Sequence, residues 1–317
     1  MLNYGMNKNK HLIIAGLISA IVLITSIFAM LPLRTISTTP SGKDWMKKID
    51  DKTLITSLSL PGSHDSGALH SIGDLSGKCQ DLSISEQLSA GARFFDIRLQ
   101  QRNNKLKVVH GFVDQDLYFS KTLHDFNLFL KDNPSEGLIV SIKKESKDVN
   151  SISSFDESLK NALKTYTSIW DTTGIIPQNL AKLRGKIFLI SRYQNNTIGL
   201  DAFDEWLDPD SSATTNTFNI EKSNLHVQDY YKVKDIKNKQ SEILNCFEYS
   251  NKNLDKLTLN FSSCYFLNSF PPTYAGSSAR IINNWLKDEV KGRKNLGIIV
   301  SDFVTSELCK NIYERNF

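Results

Sequence analysis

The segment SLSLPGSHDSG, residues 57–67, decides how the rest of the chain is interpreted. A short alternating apolar run ends at Pro61 and Gly62, and His64 and Asp65 follow almost at once. This pattern predicts a strand that delivers polar side chains to the rim of a sheet. Barrel and open-sheet enzymes often place an acid or base there, because the strands hold the loops rigidly. A solvated turn is the alternative for this segment alone.

Seven further short apolar or alternating runs follow this segment. Together the eight runs cover residues 58–60, 94–99, 107–110, 138–143, 187–191, 225–229, 257–261 and 297–302. Most are separated by stretches of helical character, such as 123–130, 155–166 and 279–290. Eight strands with intervening helices in about 275 residues are typical of one (β/α)₈ TIM-type barrel. We therefore predict an α/β fold with a single barrel over residues 44–317.

The N-terminal segment predicts export. Lys8, Lys10 and His11 precede an uncharged apolar run at residues 12–33, which predicts a signal peptide or an uncleaved signal anchor over residues 1–33. The run is longer than a usual signal core, which favours an anchor, but we expect cleavage and a secreted domain. In the alternative, residues 12–33 anchor the protein with the domain outside. Residues 34–43, rich in Ser and Thr, are predicted to be a linker.

The formal net charge of +4 belongs to this N-terminal segment. The first 43 residues hold four basic residues and no Asp or Glu, which leaves 34 basic and 34 acidic residues in the remainder. A domain with balanced charge gives no reason to expect a nucleic-acid partner.

The four cysteines do not indicate a metal site. Cys79, Cys246, Cys264 and Cys309 are widely scattered, without the paired spacing of a zinc site. In an exported domain they could form two disulfides in any of three ways, or remain unpaired thiols.

Polar side chains occur near the carboxyl ends of the predicted strands, where barrel active sites are built. They are His64, Asp65, Asp96, Arg98, His110, Lys143, Glu145, Arg192, Asp229, Tyr231 and Asp302. The two-residue period of a strand places Asp96 and Arg98 on one face. Such convergence is difficult to obtain from unrelated surface loops.

Two histidines, a guanidinium and several carboxylates suit phosphoryl transfer. One imidazole can take the proton of the attacking oxygen, while the other protonates the leaving oxygen. Arg98 can donate two hydrogen bonds to phosphate oxygens and stabilise the charge that builds around phosphorus. A metal is unnecessary if Arg98 has this role, so we expect neither a metal nor another cofactor.

Six motifs resemble the bacterial phosphatidylinositol-specific phospholipase C family. They are LPGSHDSG (60–67), GARFFDIRL (91–99), VVHG (108–111), FLKDNPSE (129–136), SIKKE (141–145) and VQDYYKV (227–233). The resemblance covers nearly everything from Trp45 onward, in the family's order. It implies an irregular TIM barrel that cleaves phosphatidylinositol by intramolecular attack and releases diacylglycerol and inositol 1,2-cyclic phosphate.

The resemblance also implies catalytic roles for individual residues. His64 is the general base on the inositol 2-hydroxyl, oriented by Asp302. His110 is the general acid for the diacylglycerol oxygen and is coupled to Asp65. Arg98 contacts the phosphate, with Asp96 beside it. In calcium-dependent eukaryotic relatives a metal does the work of this arginine, so the chain looks like the metal-independent bacterial form.

The ligand implied by the resemblance is phosphatidylinositol, or a glycosyl-phosphatidylinositol anchor, at a membrane surface. Lys143, Glu145, Arg192 and Asp229 are expected to bind the inositol hydroxyls, and Tyr231 is expected to stack on the ring. We expect the enzyme to act as a monomer.

Several alternatives remain open at this stage. Asp302 could cap a helix that starts near Thr305, and the four charged ring-binding candidates could be structural ion pairs on the rim. Phe266, Phe270 and Tyr274 could be core residues or a membrane-contacting loop. The whole chain could instead be a metal-dependent glycerophosphodiester phosphodiesterase, or a non-catalytic surface protein that binds inositol lipids.

Overall fold

The computed structural model describes residues 41–71, 77–207, 217–266 and 275–317, in which strands and helices alternate. The strands in these ranges are β1 (Ser59–Ser63), β2 (Phe94–Arg102), β3 (Lys105–His110), β4 (Val113–Tyr118), β5 (Leu138–Lys144), β6 (Trp170–Asp171), β7 (Ile187–Arg192), β8 (Leu200–Asp201), β9 (Thr217–Ile220), β10 (Leu225–Gln228), β11 (Lys232–Val233), β12 (Leu257–Phe261), β13 (Tyr265–Phe266) and β14 (Gly297–Ser301). The α-helices in the same ranges are α1 (Ile84–Ala90), α2 (Phe119–Asp132), α3 (Phe155–Leu163), α4 (Leu180–Leu183), α5 (Ile236–Lys252), α6 (Ala275–Glu289) and α7 (Ser306–Tyr313).

Parallel strands form the wall of a barrel. Their order around the wall is β7, β5, β2, β1, β14, β12 and β10, and each pairs in parallel with the next. Within the described residues no ladder joins β7 to β10, so the wall is open at that point. Trp206 bridges the opening, because its indole lies between Arg192 at the end of β7 and Asp229 just after β10.

The predicted TIM-type barrel is confirmed, but the predicted run at residues 107–110 is not one of its parallel strands. This run is β3, which pairs antiparallel with β2 and with β4. Only Asn103 and Asn104, with φ of 51° and 56°, connect β2 to β3. That is a two-residue hairpin turn, whereas a parallel crossover needs about a dozen residues or more. The other seven predicted runs all form parallel barrel strands.

Burial explains why the barrel strands have nearly continuous apolar runs. Every residue of β1, β7 and β14 is buried, since one face lines the barrel interior and the other lies under helices. Gly62 is required in β1, because a Cβ there would lie 2.8 Å from the Phe94 side chain. The predicted helices are confirmed in α2, in α3 with the short 3₁₀ turn that follows it, and in α6.

A buried ion pair ties the start of the domain to the amino ends of the strands. Arg93 and Glu136 are both completely buried, with Nη2 2.8 Å from Oε2. The same guanidinium donates hydrogen bonds to the backbone carbonyls of Gly42, Lys43, Leu88 and Ala92. The described residues between Pro40 and Phe317 belong to one compact unit.

Several sequence predictions fall outside the described residues. These are the signal peptide or anchor at 1–33, the linker up to residue 40, and Phe270 and Tyr274 of the rim loop. Phe266 is half-buried and packs against a second apolar cluster. No helix in the described ranges is both long and apolar enough to span a bilayer. All four cysteines are buried free thiols, so the structure contains none of the alternative disulfide pairings.

Candidate active site

His64 and Asp302 are brought together by two adjacent parallel strands. Ser63 at the end of β1 is in register with Ser301 at the end of β14, and the two site residues come next. Nδ1 of His64 lies 2.7 Å from Oδ1 of Asp302. Asp302 is not the cap of α7, because Thr305 fills that position and accepts a hydrogen bond from the amide of Leu308. The helix-cap alternative for Asp302 is therefore wrong.

The protonation of His64 follows from its two partners. Nη2 of Arg98 lies 2.7 Å from Nε2 of His64, and a guanidinium can only donate. Nε2 therefore accepts, and the ring proton sits on Nδ1 and is donated to Asp302. Burial lowers the pKa of His64, but the charge and hydrogen bond of Asp302 more than offset it, so that its pKa lies above its ordinary value.

The β2–β3 hairpin delivers the second histidine. β3 pairs antiparallel with β2, and Val108 lies opposite Leu99. His110, two residues further along β3, therefore lies beside the part of β2 that contains Arg98. Its Nδ1 donates to the carbonyl of Gly77 at 2.9 Å, and its Nε2 is 3.6 Å from Oδ2 of Asp65. Asp65 is fully buried, which raises the pKa of its carboxyl despite the nearby positive charges. His110 thus presents Nε2 to the site beside a carboxyl group.

Arg98 lies at the centre of the site among carboxylates. Its Nε is 3.2 Å from Asp96 and 3.5 Å from Asp65, and its Nη1 is 3.5 Å from Glu145. Burial opposes the charge of Arg98, but these carboxylates raise its pKa well above the ordinary value. Burial also opposes ionisation of Asp96, yet Arg98 and Arg192 lower the pKa of that carboxyl strongly. The side chain of Arg98 is 13% exposed, so a fixed positive charge is accessible to an anionic ligand.

The predicted ring-binding residues surround this centre. Lys143 Nζ is 3.2 Å from Glu145 Oε2, and Glu145 Oε1 accepts from the backbone amide of Gly111 in the turn between β3 and β4. Nη1 of Arg192 is 3.5 Å from Oδ1 of Asp96. These contacts are also what structural ion pairs on the rim would make, so the binding roles stay predictions.

Asp229 and Tyr231 lie on the side of the site beyond β10. Asp229 accepts a hydrogen bond from the Trp206 indole at 3.0 Å, which links it to Arg192 on the other side of the same ring. Tyr231 is half-buried, with its ring centroid 5.8 Å from that of Tyr265. Its stacking role is a prediction that no contact among the described residues tests.

Three residues at the site were not predicted from the sequence. Trp206 has its ring centroid 3.4 Å from the guanidinium carbon of Arg192. Gln80 donates to the carbonyls of His64 and Ser301 at 2.8 and 3.0 Å, and so fixes the backbone beneath the His64 ring. Cys79 places Sγ 3.8 Å from Nδ1 of His110. None of the three belongs to a periodic run or a spaced motif, so no local pattern marks them as site residues.

Some of these side chains could hold a metal ion. Ligand atoms of Asp65, Cys79 and His110 lie within 4.8 Å of one another, and so do those of His64, Cys79 and Asp302. The other charged candidates form ion pairs with one another or a hydrogen bond with Trp206. They are Asp96, Arg98, Lys143, Glu145, Arg192 and Asp229.

Comparison with known proteins identifies the family. The family model described as "Phosphatidylinositol-specific phospholipase C, X domain" matches residues 59–193. The chain is 31% identical over 302 residues to the 1-phosphatidylinositol phosphodiesterase of Listeria monocytogenes, covering 89% of this chain and 88% of the relative. The chain belongs to the phosphatidylinositol-specific phospholipase C family. A second member of this family, the 1-phosphatidylinositol phosphodiesterase of Staphylococcus aureus strain Newman, is 30% identical over 287 residues, which cover 84% of this chain and 90% of the relative.

Solved structures of the phospholipase C family have the same fold. The phosphatidylinositol-specific phospholipase C of L. monocytogenes superposes with a TM-score of 0.72 at 27% identity, covering 88% of this chain and 100% of the other. A double mutant of the S. aureus enzyme superposes with a TM-score of 0.75 at 26% identity, covering 87% and 97%. Both the family and the barrel predicted from the sequence are therefore confirmed.

Proposed function

We propose that this protein is a phosphatidylinositol phosphodiesterase of the phospholipase C type. It cleaves phosphatidylinositol to diacylglycerol and inositol 1,2-cyclic phosphate, which makes it a phosphatidylinositol diacylglycerol-lyase. One observation carries the proposal: two histidine–aspartate pairs, His64 with Asp302 and His110 with Asp65, face the guanidinium of Arg98. The relatives that cover most of this chain are named 1-phosphatidylinositol phosphodiesterases.

The geometry assigns one step to each pair. Nε2 of His64 takes the proton of the inositol 2-hydroxyl, and Asp302 stabilises the imidazolium that forms. The 2-oxygen attacks phosphorus, and the bond from phosphorus to the diacylglycerol oxygen breaks. His110, held by Gly77 and Asp65, protonates that leaving oxygen. Arg98 stabilises the charge that builds on the phosphate oxygens during the attack.

The proposed base shares its ring nitrogen with Arg98. Arg98 donates to the nitrogen of His64 that must take the proton. An incoming phosphate competes for the guanidinium through charge-assisted hydrogen bonds, which are stronger than one to a neutral imidazole. Binding of the substrate phosphate would therefore release the lone pair of His64 at the moment when the 2-hydroxyl arrives.

The proposed substrate sits at a membrane surface, either as phosphatidylinositol or as a glycosyl-phosphatidylinositol anchor. Phe112, two residues after His110, is 82% exposed, which supports contact between this rim and lipid. We further propose that the enzyme is a secreted monomer, with membrane anchoring by residues 12–33 as the alternative. Mass spectrometry of protein recovered from medium and from membranes distinguishes these locations, and light scattering tests the monomer.

A metal-dependent glycerophosphodiester phosphodiesterase is not favoured. A metal-dependent site needs its carboxylates as ligands. Here Arg98 engages Asp96 and Glu145 at the centre, and Arg192 and Lys143 pair with the same two carboxylates. A non-catalytic lipid-binding protein is not favoured either, because it would have no need of the two histidine–aspartate pairs.

The proposal is tested with the full chain, phosphatidylinositol in detergent micelles and excess EDTA. Phosphorus NMR should show the five-membered cyclic phosphate of inositol as the first product. The His124→Ala variant, altered at an exposed position on α2, should behave like the wild type. Turnover only after calcium is added would contradict the role of Arg98. The absence of turnover under every condition, with inositol binding retained, would support the non-catalytic alternative.

A further inference from the structure

A thiol that the proposed mechanism does not use lies inside the active site. Cys79 is 1% exposed, and its Sγ is 3.8 Å from Nδ1 of His110. Its backbone is fixed on both sides, because its amide donates to the carbonyl of Ala68 and its carbonyl accepts from the amide of Phe303. The sulfur is therefore held against the catalytic acid by the loops that follow β1 and β14.

Asp65 supplies a second, independent observation at the same place. It is completely buried, yet neither of its carboxylate oxygens accepts a hydrogen bond from any described residue. Its nearest positively charged neighbours are Arg98 Nε at 3.5 Å and His110 Nε2 at 3.6 Å. Buried carboxylate oxygens are normally hydrogen-bonded, so these lone pairs are available to another ligand.

The three side chains match the preferences of one class of metal ion. Ligand atoms of Asp65, Cys79 and His110 lie within 4.8 Å of one another. Thiolate, imidazole and carboxylate together suit zinc and its heavier relatives, whereas calcium and magnesium prefer oxygen ligands alone. We propose that Asp65, Cys79 and His110 form an inhibitory site for a thiophilic divalent cation such as Zn²⁺ or Cd²⁺.

Binding involves a defined exchange of protons and ligands. The cation takes the Cys79 thiolate, and the thiol proton passes to solvent. One oxygen of Asp65, one ring nitrogen of His110 and a water complete four-coordination. Metal–ligand bonds of about 2.0 to 2.3 Å require the three side chains to move slightly closer together. The side chain of His110 is 29% exposed, which gives the ion a route into the site.

The other cluster around Cys79 is a weaker candidate. His64 and Asp302 also have ligand atoms near this sulfur. However, Nδ1 of His64 and Oδ1 of Asp302 already share a hydrogen bond of 2.7 Å, which a metal would have to break. No hydrogen bond is lost at Asp65, and at most the neutral bond of 2.9 Å from His110 Nδ1 to the carbonyl of Gly77 has to be broken.

The cation would inhibit the proposed lyase reaction, and this consequence rests on the proposed function. A metal-bound His110 cannot protonate the diacylglycerol oxygen, and a metal-bound Asp65 cannot orient His110. The proposed site leaves Arg98 in place. It therefore differs from the site of a cation that substitutes for that guanidinium. It would make the enzyme sensitive to zinc while leaving it active in EDTA.

The test is a titration of EDTA-treated, dialysed full-length protein with cadmium chloride. Ultraviolet charge-transfer absorption reports the cadmium–thiolate bond directly, independently of any activity. We expect one equivalent to bind with this absorption, and turnover to fall at least tenfold over the same concentrations. Zinc should displace the cadmium, and EDTA should restore the rate.

Two variants and one control make the titration specific. Cys79→Ser should lose the absorption and keep its own metal-free rate when cadmium is added. His110→Ala, at a partly exposed rim position, should keep the absorption but need at least tenfold more cadmium. Cys309→Ser, at a buried thiol on α7, should titrate like the wild type.

Equal absorption in the wild type and Cys79→Ser would overturn the proposal. So would cadmium that binds at Cys79 and leaves the turnover of an active enzyme unchanged. If the wild type shows no turnover without metal, the proposed function fails. Absorption that depends on both Cys79 and His110 would then still support the metal site.

Discussion

Arg98 donates a hydrogen bond from Nη2 to Nε2 of His64 over 2.7 Å, and so occupies the lone pair that a general base must use. The same guanidinium contacts Asp65, Asp96 and Glu145. In the proposed mechanism, binding of phosphate and release of the base are therefore coupled through one side chain. A substitution at Arg98 should affect both events.

Replacing Arg98 with lysine keeps a positive charge but removes the planar group that donates several hydrogen bonds at once. We expect kcat/KM for phosphatidylinositol to fall by about 10²–10³, the usual loss for one transition-state donor. The control is Arg102→Lys on the same strand, whose side chain is 38% exposed and pairs with Asp114. A rate for Arg98→Lys equal to that of this control would refute the central role of Arg98.

Replacing either histidine should remove one proton transfer. We expect His64→Ala and His110→Ala each to lower kcat by about 10²–10⁴, with little change in thermal unfolding, because both side chains lie on the rim. Phosphorus NMR measures the rate, and circular dichroism measures the unfolding. Near-normal turnover in either variant would remove the role assigned to that histidine.

The pH dependence of kcat/KM should report the contact between His64 and Asp302. Asp302 raises the pKa of His64 against the effect of burial, and the base works only when it is deprotonated. In Asp302→Asn the pKa of His64 should fall, so the acidic limb of the kcat/KM profile should move to lower pH. The maximal rate should also decrease, since the amide cannot stabilise the imidazolium. An acidic limb that stays in place would show that His64 does not control it.

Trp206 should affect substrate binding more than chemistry. Its ring stacks on Arg192, and its indole N–H donates to Asp229, so it positions two predicted ring-binding residues. Trp206→Phe keeps an aromatic face for Arg192 but loses the hydrogen bond to Asp229. We expect KM to rise several-fold with kcat within about twofold, and Trp206→Ala to raise KM further. A drop in kcat alone would contradict this positioning role.

The ion pair between Arg93 and Glu136 should contribute to stability and not to catalysis. Glu136→Gln leaves the buried guanidinium of Arg93 without its counter-charge at the amino ends of the strands. The free energy of unfolding should fall by about 3 to 5 kcal/mol, measured by urea denaturation. Glu157→Gln, at an exposed position on α3, is the matched control. A fall in kcat per folded molecule would contradict a purely structural role.

Much of the barrel could be read from local sequence. Runs such as 138–143 and 187–191 are apolar because both faces of a parallel barrel strand are buried, and that burial is visible residue by residue. The hairpin at β3 was missed, although the two-residue link through Asn103 and Asn104 is too short for a crossover. The catalytic candidates could be predicted because they follow strand ends, and motifs such as LPGSHDSG indicated the family.

What only the tertiary structure decided is how distant residues combine. Asp302 meets His64 across 238 residues because β1 and β14 pair in parallel register. Trp206 bridges two strand ends, and Cys79 lies against His110, although neither has a periodic or spaced signal. Local periodicity reports only which face of an element is buried. The contacts of these residues depend instead on hydrogen-bond register and loop packing between segments far apart in the chain. The sequence alone could therefore name the candidate catalytic groups, but not the tryptophan and thiol beside them.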